Sequence, residues 1–253
     1  IEKYINKNTK AILAVHTFSN PCNIDALQKI ANKYKIKLIF DAAHCIGVKF
    51  KGKSILNYGD FSIASLHATK ILNAAEGGLC VTNKNKDSDI LKKIRFFGFN
   101  ENKNVVLNGN NFKMSELHAA LGYLNLLNFE KSLLIRKKIF YKYFENLKNF
   151  KEIRFQNFNP KEYNYSYVAI KLKNRSILKK VLMSLNKNNI YPRRYFYPSL
   201  NTLKFFKVKK NNLKNSLELS DTILTLPSYD KLQIKEINKI CKIIKKTLNN
   251  ESI

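Results

Sequence analysis

No stretch of the 253-residue chain approaches the eighteen or so uninterrupted apolar residues that a membrane span needs. The opening IEKYINKNTK also lacks the apolar core of a secretion signal. These two absences predict a cytoplasmic protein with no membrane partner. Cysteine is scarce: Cys22, Cys45, Cys80 and Cys241 are scattered, with no C-x-x-C pair and no companion histidine spacing. That excludes a zinc site or a disulfide framework and leaves free thiols, and no metal is expected. Arginine is scarcer than the charge suggests, with six residues against forty lysines. A formal net charge of +28 would ordinarily speak for nucleic acid, because a basic face releases counterions from phosphates. Here the lysines are spread along the chain among asparagine and isoleucine, and no basic cluster is interleaved with aromatics as a stacking platform. A solvated lysine-rich surface is expected, with no nucleic-acid partner, although the charge still favours an anionic substrate. No internal repeat or low-complexity linker is present. A composition 45% hydrophobic and 25% charged is that of a globular protein, with enough length for a large and a small domain.

The hydrophobic pattern divides the chain. Residues 11–18, AILAVHTF, form an apolar run of strand length closed by the turn signal Asn20-Pro21. From Asn23 to Lys35, Ile24, Leu27, Ile30, Ala31 and Tyr34 recur at spacings of three and four, predicting a helix capped by Asn23. Lys37–Phe40 is a short apolar run that stops at Asp41. Strand, helix, strand in this order is the signature of a crossover unit in a parallel sheet. Two further strands are predicted at Phe61–Leu66 and Leu79–Thr82, then a helix over Asp87–Phe97 with Ile90, Leu91 and Ile94 inward, a loop over 98–111, and one long helix from Ser115 to about Phe150. Beyond it the pattern becomes mixed: a strand over Tyr163–Leu172, a helix over Ser176–Asn186, an aromatic and basic extended segment at Tyr191–Pro198, and an amphipathic closing helix over Gln233–Leu248. The expected division is 1–128 and 129–253, an α/β portion with a mostly parallel sheet followed by a smaller α+β domain.

Asp41 stands where a buried strand stops, and ligands of open parallel sheets collect at those carboxyl ends. Taken singly, Asp41 reads as a cap or turn former, and Lys70 as one lysine among forty. In the settings DAAH at 41–44 and SLHATK at 65–70, just ahead of EGG at 76–78, the two become one ordered pattern.

The segments DAAHCIGVKFKGKSI, GDFSIASLHATK and AEGGLCVTN resemble the cofactor region of the DegT/DnrJ-type sugar aminotransferases, a branch of the type I pyridoxal-phosphate transferase fold. The resemblance implies pyridoxal 5'-phosphate as cofactor. It makes Lys70 the lysine that holds it covalently and shuttles the proton, and Asp41 the partner of the pyridine nitrogen. His44 becomes a contact to the ring or its hydroxyl, and Ser65, five residues before the lysine, a contact to the phosphate. A carboxylate beside the ring nitrogen raises its pKa and keeps it a strong electron sink. Many members carry glutamine where this chain has His44. For His67, between Ser65 and Lys70, packing and substrate contact stay open.

GNNFKMSELHAALG at 109–122 is similar to a second family signature. It implies that Asn111 reaches the cofactor phosphate of a neighbouring subunit, hence a homodimer with shared sites, while Lys113 replaces the usual arginine and with it a planar fork of donors. NIYPRRYFYPSLNTL at 189–203 resembles the loop that approaches the nucleotide-sugar, which makes Arg193, Arg194 and Tyr195 substrate-binding residues. VHTFSNPCNIDALQKIANKYKIK at 15–37 is closest to the group that makes dTDP-4-amino-4,6-dideoxyglucose.

The expected reaction moves an amino group from glutamate to a dTDP-4-keto-6-deoxyhexose, for surface polysaccharide or glycan synthesis. The alternatives are the same chemistry on a 3-keto or UDP-linked sugar, or a non-catalytic remnant. Family members carry about a hundred residues before this point, including a helix start that cradles the phosphate and an aromatic that stacks on the ring. Neither motif is found, and a chain lacking the N-terminal third is expected, with its activity correspondingly in question.

Overall fold

The structure, a computed structural model, describes residues 1–205 and 213–249, and falls into two compact units: Ile1–Ser132 with Asn159–Asn164, and Leu133–Phe158 with Tyr165–Ile253. The break after Ser132 lies four residues beyond the expected 128, and six residues from the later chain join the first unit.

In the first unit, β1 (Ala11–Val15), β2 (Lys37–Asp41) and β5 (Phe61–Ser65) are parallel neighbours, and β6 (Gly78–Val81) adds antiparallel to β5. A small hairpin of β3 (Lys49–Phe50) and β4 (Lys53–Ser54) lies between β2 and β5 in sequence. Helix α1 (Ile24–Tyr34) makes the crossover from β1 to β2. Asn23 accepts the Ala26 N–H at 3.1 Å as its cap, and Lys35 in a left-handed conformation ends it. Ile24, Leu27 and Ala31 are buried against Ile12, Leu38 and Phe40, so one face of the sheet is a packed core. Strand period two sends the alternate residues to the other face, where Leu13, Val15 and Ile63 are exposed and Asp41 and Ser65 stand half-buried beside them.

Several expectations are corrected at their edges. The first strand stops at Val15, because His16–Ser19 turn away with Phe18 and Ser19 at positive φ. In helix α2 (Asn85–Arg95) Ile90 is exposed rather than inward, and Leu91 and Ile94 are half-buried. The single long helix is two, α3 (Glu116–Leu127) and α4 (Phe129–Leu147), parted at Asn128, whose ψ of 4° is not helical. Ser115 caps α3 by accepting the His118 N–H.

The second unit holds a three-stranded antiparallel sheet in the order β7 (Ile153–Phe155), β8 (Val168–Leu172), β9 (Ile223–Leu226). Only the last half of the strand expected over 163–172 forms, because Tyr165 takes a φ of 55° that no strand continues through. Helix α5 (Arg175–Asn186) buries Ile177, Leu178, Val181 and Leu185, and α7 (Ile234–Asn249) buries Ile237, Ile240, Cys241 and Ile244. The spacing of three and four in each is what lets one stripe face the core. Helix α6 (Lys214–Thr222), which leads straight into β9, had no counterpart in the sequence reading. Part of the segment ahead of it lies outside the described residues.

Tyr143 of α4 is fully buried, and its hydroxyl has no hydrogen-bond partner among the described residues. An orphaned buried hydroxyl costs about 1–3 kcal/mol. Tyr143→Phe is therefore expected to raise stability by about 1 kcal/mol, read as a higher urea midpoint at unchanged slope; a lower midpoint would show that the hydroxyl is bonded in solution.

Candidate active site

The three parallel strands end together, and Asp41, His44, Ser65 and Lys70 belong to that edge. Asp41 is the last residue of β2. Its carbonyl accepts the His16 N–H at 2.9 Å and its Oδ1 accepts the Ala43 N–H at 3.0 Å, so the turn of the D-A-A segment aims the carboxylate. Ser65 ends β5 and faces the same way, two residues on from Ile63, the register partner of Asp41.

After Ser65 the chain makes a narrow loop and returns as β6. Leu66 N–H donates to Gly77 O at 2.9 Å and Ala74 N–H to Leu66 O at 2.8 Å. Gly77 has a φ of 146°, a conformation that favours glycine, and a Cβ there would push aside the tip of the Met114 side chain. Lys70 sits in this loop, half-buried. Burial holds its pKa below the ordinary lysine range, opposed by the charge of Asp41 and by Cys45. A larger share of neutral amine results, which is what a nucleophile and proton carrier requires.

His44 is brought to the same place. Its Nδ1 accepts the Phe18 N–H at 3.2 Å, so the neutral ring carries its proton on Nε2. Its carbonyl accepts Ser19 Oγ at 2.6 Å and Asn164 Nδ2 at 2.8 Å. Burial pushes the His44 pKa down to about 4, helped by the positive charge of Lys70 and opposed by Asp41. Asp41, His44 and Lys70 therefore feel one another electrostatically, across twenty-nine residues of sequence.

Sequence reasoning missed two supports. Asn164 is fully buried and donates to both His44 O and Ile46 O at 2.8 Å, pinning the D-A-A-H turn. His16 is buried, stacked on Phe40 at 4.5 Å, and accepts the Cys22 N–H at 3.0 Å on Nδ1. Burial lowers its pKa to about 4 as well, with Asp41 opposing. The available signal was a histidine inside an apolar strand-length run, which asks for a buried neutral ring.

Of the remaining candidates, Asn111 belongs to the first unit and Arg193, Arg194 and Tyr195 to the second. Asn111 is exposed and bridges to Phe96, while Lys113 places Nζ 4.3 Å from the centre of the Phe96 ring. In the second unit, Arg193 bridges to Thr225 through its main chain and donates from a guanidinium nitrogen to Tyr195 Oη at 2.5 Å. Arg194 is largely engaged within that unit. It donates to Ser220 O at 3.0 Å, lies 3.8 Å from Asp221 Oδ1 and stacks on Tyr197 at 3.5 Å. Arg193 and Tyr195 thus form the more open pair.

Among the described residues no group of histidine, cysteine or carboxylate is placed to hold a metal, and no helix is long and apolar enough to cross a membrane. The donor set instead fits pyridoxal phosphate: a carboxylate at a strand end, a half-buried amine with a lowered pKa, a neutral imidazole and a serine hydroxyl on one side of the sheet.

Comparison with known proteins agrees with that set. The family model described as DegT/DnrJ/EryC1/StrS aminotransferase family matches residues 1–245. A dTDP-4-amino-4,6-dideoxy-D-glucose transaminase of Shigella dysenteriae is 34% identical over 97% of the chain and 68% of its own length. The GDP-perosamine synthase of Vibrio cholerae is 28% identical over 98% of the chain and 69% of its own length. The crystal structure of DesI in the presence of its TDP-sugar product superposes with a TM-score of 0.92 at 26% identity, over 99% of this chain and 65% of that one. The chain thus spans about two thirds of the length of the proteins it matches.

In the unfolded chain the two imidazoles protonate near pH 6.5, whereas His16 and His44 in the fold hold out to about 4. The unfolded state therefore takes up protons first, and stability falls as pH drops from about 6.5 to about 4. The expected loss at about pH 5 is on the order of 1 kcal/mol per ring once solvent screening is allowed for. Urea midpoints at pH 7 and 5 check it. His44→Gln should remove part of the slope, and a wild-type midpoint indifferent to pH would refute the neutral burial of both rings.

Proposed function

The chain belongs to the DegT/DnrJ/EryC1/StrS aminotransferase family, a family of pyridoxal-phosphate-dependent sugar aminotransferases with the type I fold, and from that premise we propose that it transfers an amino group from glutamate to the keto carbon of a dTDP-4-keto-6-deoxyhexose. The observation that carries the reading is the convergence of Asp41, His44 and Lys70 at the carboxyl end of the parallel strands, on the side of the sheet that also presents Ser65. The preference for a dTDP sugar with the keto group at C4 is supported by the 34% identity to the Shigella dysenteriae transaminase.

When bound, pyridoxal phosphate supplies the electron sink that amino transfer needs. The residues of the chain do the rest. Lys70 would hold the cofactor through its amine, and the same amine would carry the proton that the transfer has to move. Its lowered pKa leaves it neutral more often than a surface lysine. Asp41 would pair with the ring nitrogen and keep it protonated. His44 would donate from Nε2 to the cofactor ring, with Phe18 N–H fixing that tautomer. The Ser65 hydroxyl would take the phosphate. Asn111, being exposed, would be suited to reach the phosphate in a second subunit, giving a homodimer with shared sites. Arg193 and Tyr195 supply charge and stacking surface for the diphosphate and base of the nucleotide-sugar, with Arg194 holding their loop to α6. The product would serve surface polysaccharide or glycan synthesis in the cytoplasm.

A second reading is the same chemistry on another nucleotide keto sugar, favoured by the 28% identity to GDP-perosamine synthase.

Addition of pyridoxal phosphate is expected to give a visible absorbance band between roughly 320 and 430 nm that is lost in Lys70→Ala and bleached by glutamate. Absence of a Lys70-dependent band sinks the assignment. Asp41→Asn is expected to keep the band and lower turnover at least about a thousandfold, because the ring nitrogen loses its proton partner. Turnover of GDP-linked over dTDP-linked 4-keto sugar would move the assignment to the second reading.

A further inference from the structure

His67 lies between Ser65 and Lys70 and has no part in the scheme above, yet it touches every strand of the loop that carries them. Its main-chain N–H donates to Ser65 Oγ at 3.2 Å, and its carbonyl accepts the Lys70 N–H at 2.9 Å. Its Nδ1 accepts the Thr69 N–H at 3.2 Å and meets Thr69 Oγ1 at 2.9 Å. Because Nδ1 accepts the main-chain N–H, the ring proton is on Nε2, and Nε2 faces Glu76 Oε1 at 3.5 Å. Glu76 stands on the returning arm of the loop, immediately before Gly77. Main-chain bonds tie the two arms together at Leu66 with Gly77 and at Ala68 with Ala75, the latter at 2.6 Å. Between these two bonds the side chains of His67 and Glu76 meet across the arms.

We propose that the His67–Glu76 pair is a clasp that positions Lys70, holding the amine and the Ser65 hydroxyl at a fixed separation by closing the loop over residues 66–77. The clasp exists on the geometry of the loop alone, and its consequence for the cofactor rests on the function proposed above. Its physical basis is economy of motion. The main-chain bonds on either side already close the base of the loop, and the side-chain contact between them adds a restraint on how the arms turn about those bonds, at the small cost of ordering two side chains. The pair is exposed, with side-chain accessibilities of 47% and 70%, so its effect is modest and is felt where placement matters most.

The role separates cleanly from mere folding because of how asparagine and glutamine mimic the two ring nitrogens. His67→Asn keeps an acceptor for the Thr69 N–H, as an Asx turn does, but cannot reach Glu76. His67→Gln keeps a donor at the reach of Nε2. Pulse acetylation of the free chain between about pH 6 and 10, resolved by peptide mass spectrometry, reads Lys70 directly, with the other thirty-nine lysines as internal references.

Lys70 faces Asp41, His44 and Cys45, and its burial makes it label at lower pH than the exposed lysines. In His67→Asn and in Glu76→Ala the Lys70 profile is expected to move up toward those lysines by about half a pH unit, roughly a threefold loss of neutral amine, as suits an exposed pair. His67→Gln should retain the wild-type profile, and the double variant should shift no further than either single one. The same two single variants should bind pyridoxal phosphate about threefold more weakly. Unchanged Lys70 profiles, additive shifts in the double variant, or a general fall in melting temperature with all lysines affected would each overturn the clasp. Labelling needs no cofactor, so loss of the absorbance band would count against the proposed function without deciding this result.

Discussion

Everything in the candidate site hangs on the parallel pairing of β1, β2 and β5. Register sets Val15 beside Asp41 and Asp41 beside Ile63, so three chains end at one edge and the carboxylate, the turn after β1 and the loop after β5 are delivered to the same place. Parallel strands impose this, because each must be reached by a crossover and each therefore exits on the same side. The core on one face, with Leu38 and Phe40 fully buried against α1, anchors the register: a slip of one residue would turn Asp41 into that core and expose Phe40. The energy that fixes the chemistry is thus hydrophobic burial on the opposite side of the sheet.

The electrostatics of the cluster follow from partial burial. Lys70 and His44 both lose affinity for protons because water is excluded, and the charge of Lys70 makes His44 harder still to protonate, while Asp41 pulls both the opposite way. The balance leaves the imidazole neutral and raises the share of neutral amine on Lys70 above that of a surface lysine. His16 repeats the theme beneath the site, where a neutral ring packs on Phe40 and its main chain bonds Asp41. Asn164 completes it by reaching from a distant part of the sequence to hold two carbonyls of the D-A-A-H turn. Hydrogen bonds from an amide buried this deeply are costly to leave unmade, which keeps the turn closed.

The open face of the sheet gives the family relationship a physical setting. Leu13, Val15 and Ile63 are exposed on the side that bears Asp41 and Ser65. Apolar side chains on a parallel sheet are ordinarily covered on both faces. The relatives that match nearly all of this chain are about half as long again, since the chain accounts for 68% of the first of them.

Periodicity determined much of this protein by itself. The helix over 24–34, its cap at Asn23, the strands around it and the closing amphipathic helix follow from spacing, since burial of one stripe or one face leaves a repeat of 3.6 or 2 in the residues. The order of DAAH, SLHATK and EGG pointed to Asp41, Ser65 and Lys70 through its resemblance to the cofactor region of the family. What only tertiary structure decided were the features that depend on partners far apart in sequence: Asn164 under His44, the break at Asn128, the shortened strand after Tyr165, and the commitment of Arg194 to Ser220 and Asp221. No local pattern encodes these, since a side-chain amide or a guanidinium looks the same along the chain whether it meets water or a buried carbonyl. The lowered proton affinity of Lys70 belongs to the same class, for it arises from how much water the folded loop excludes.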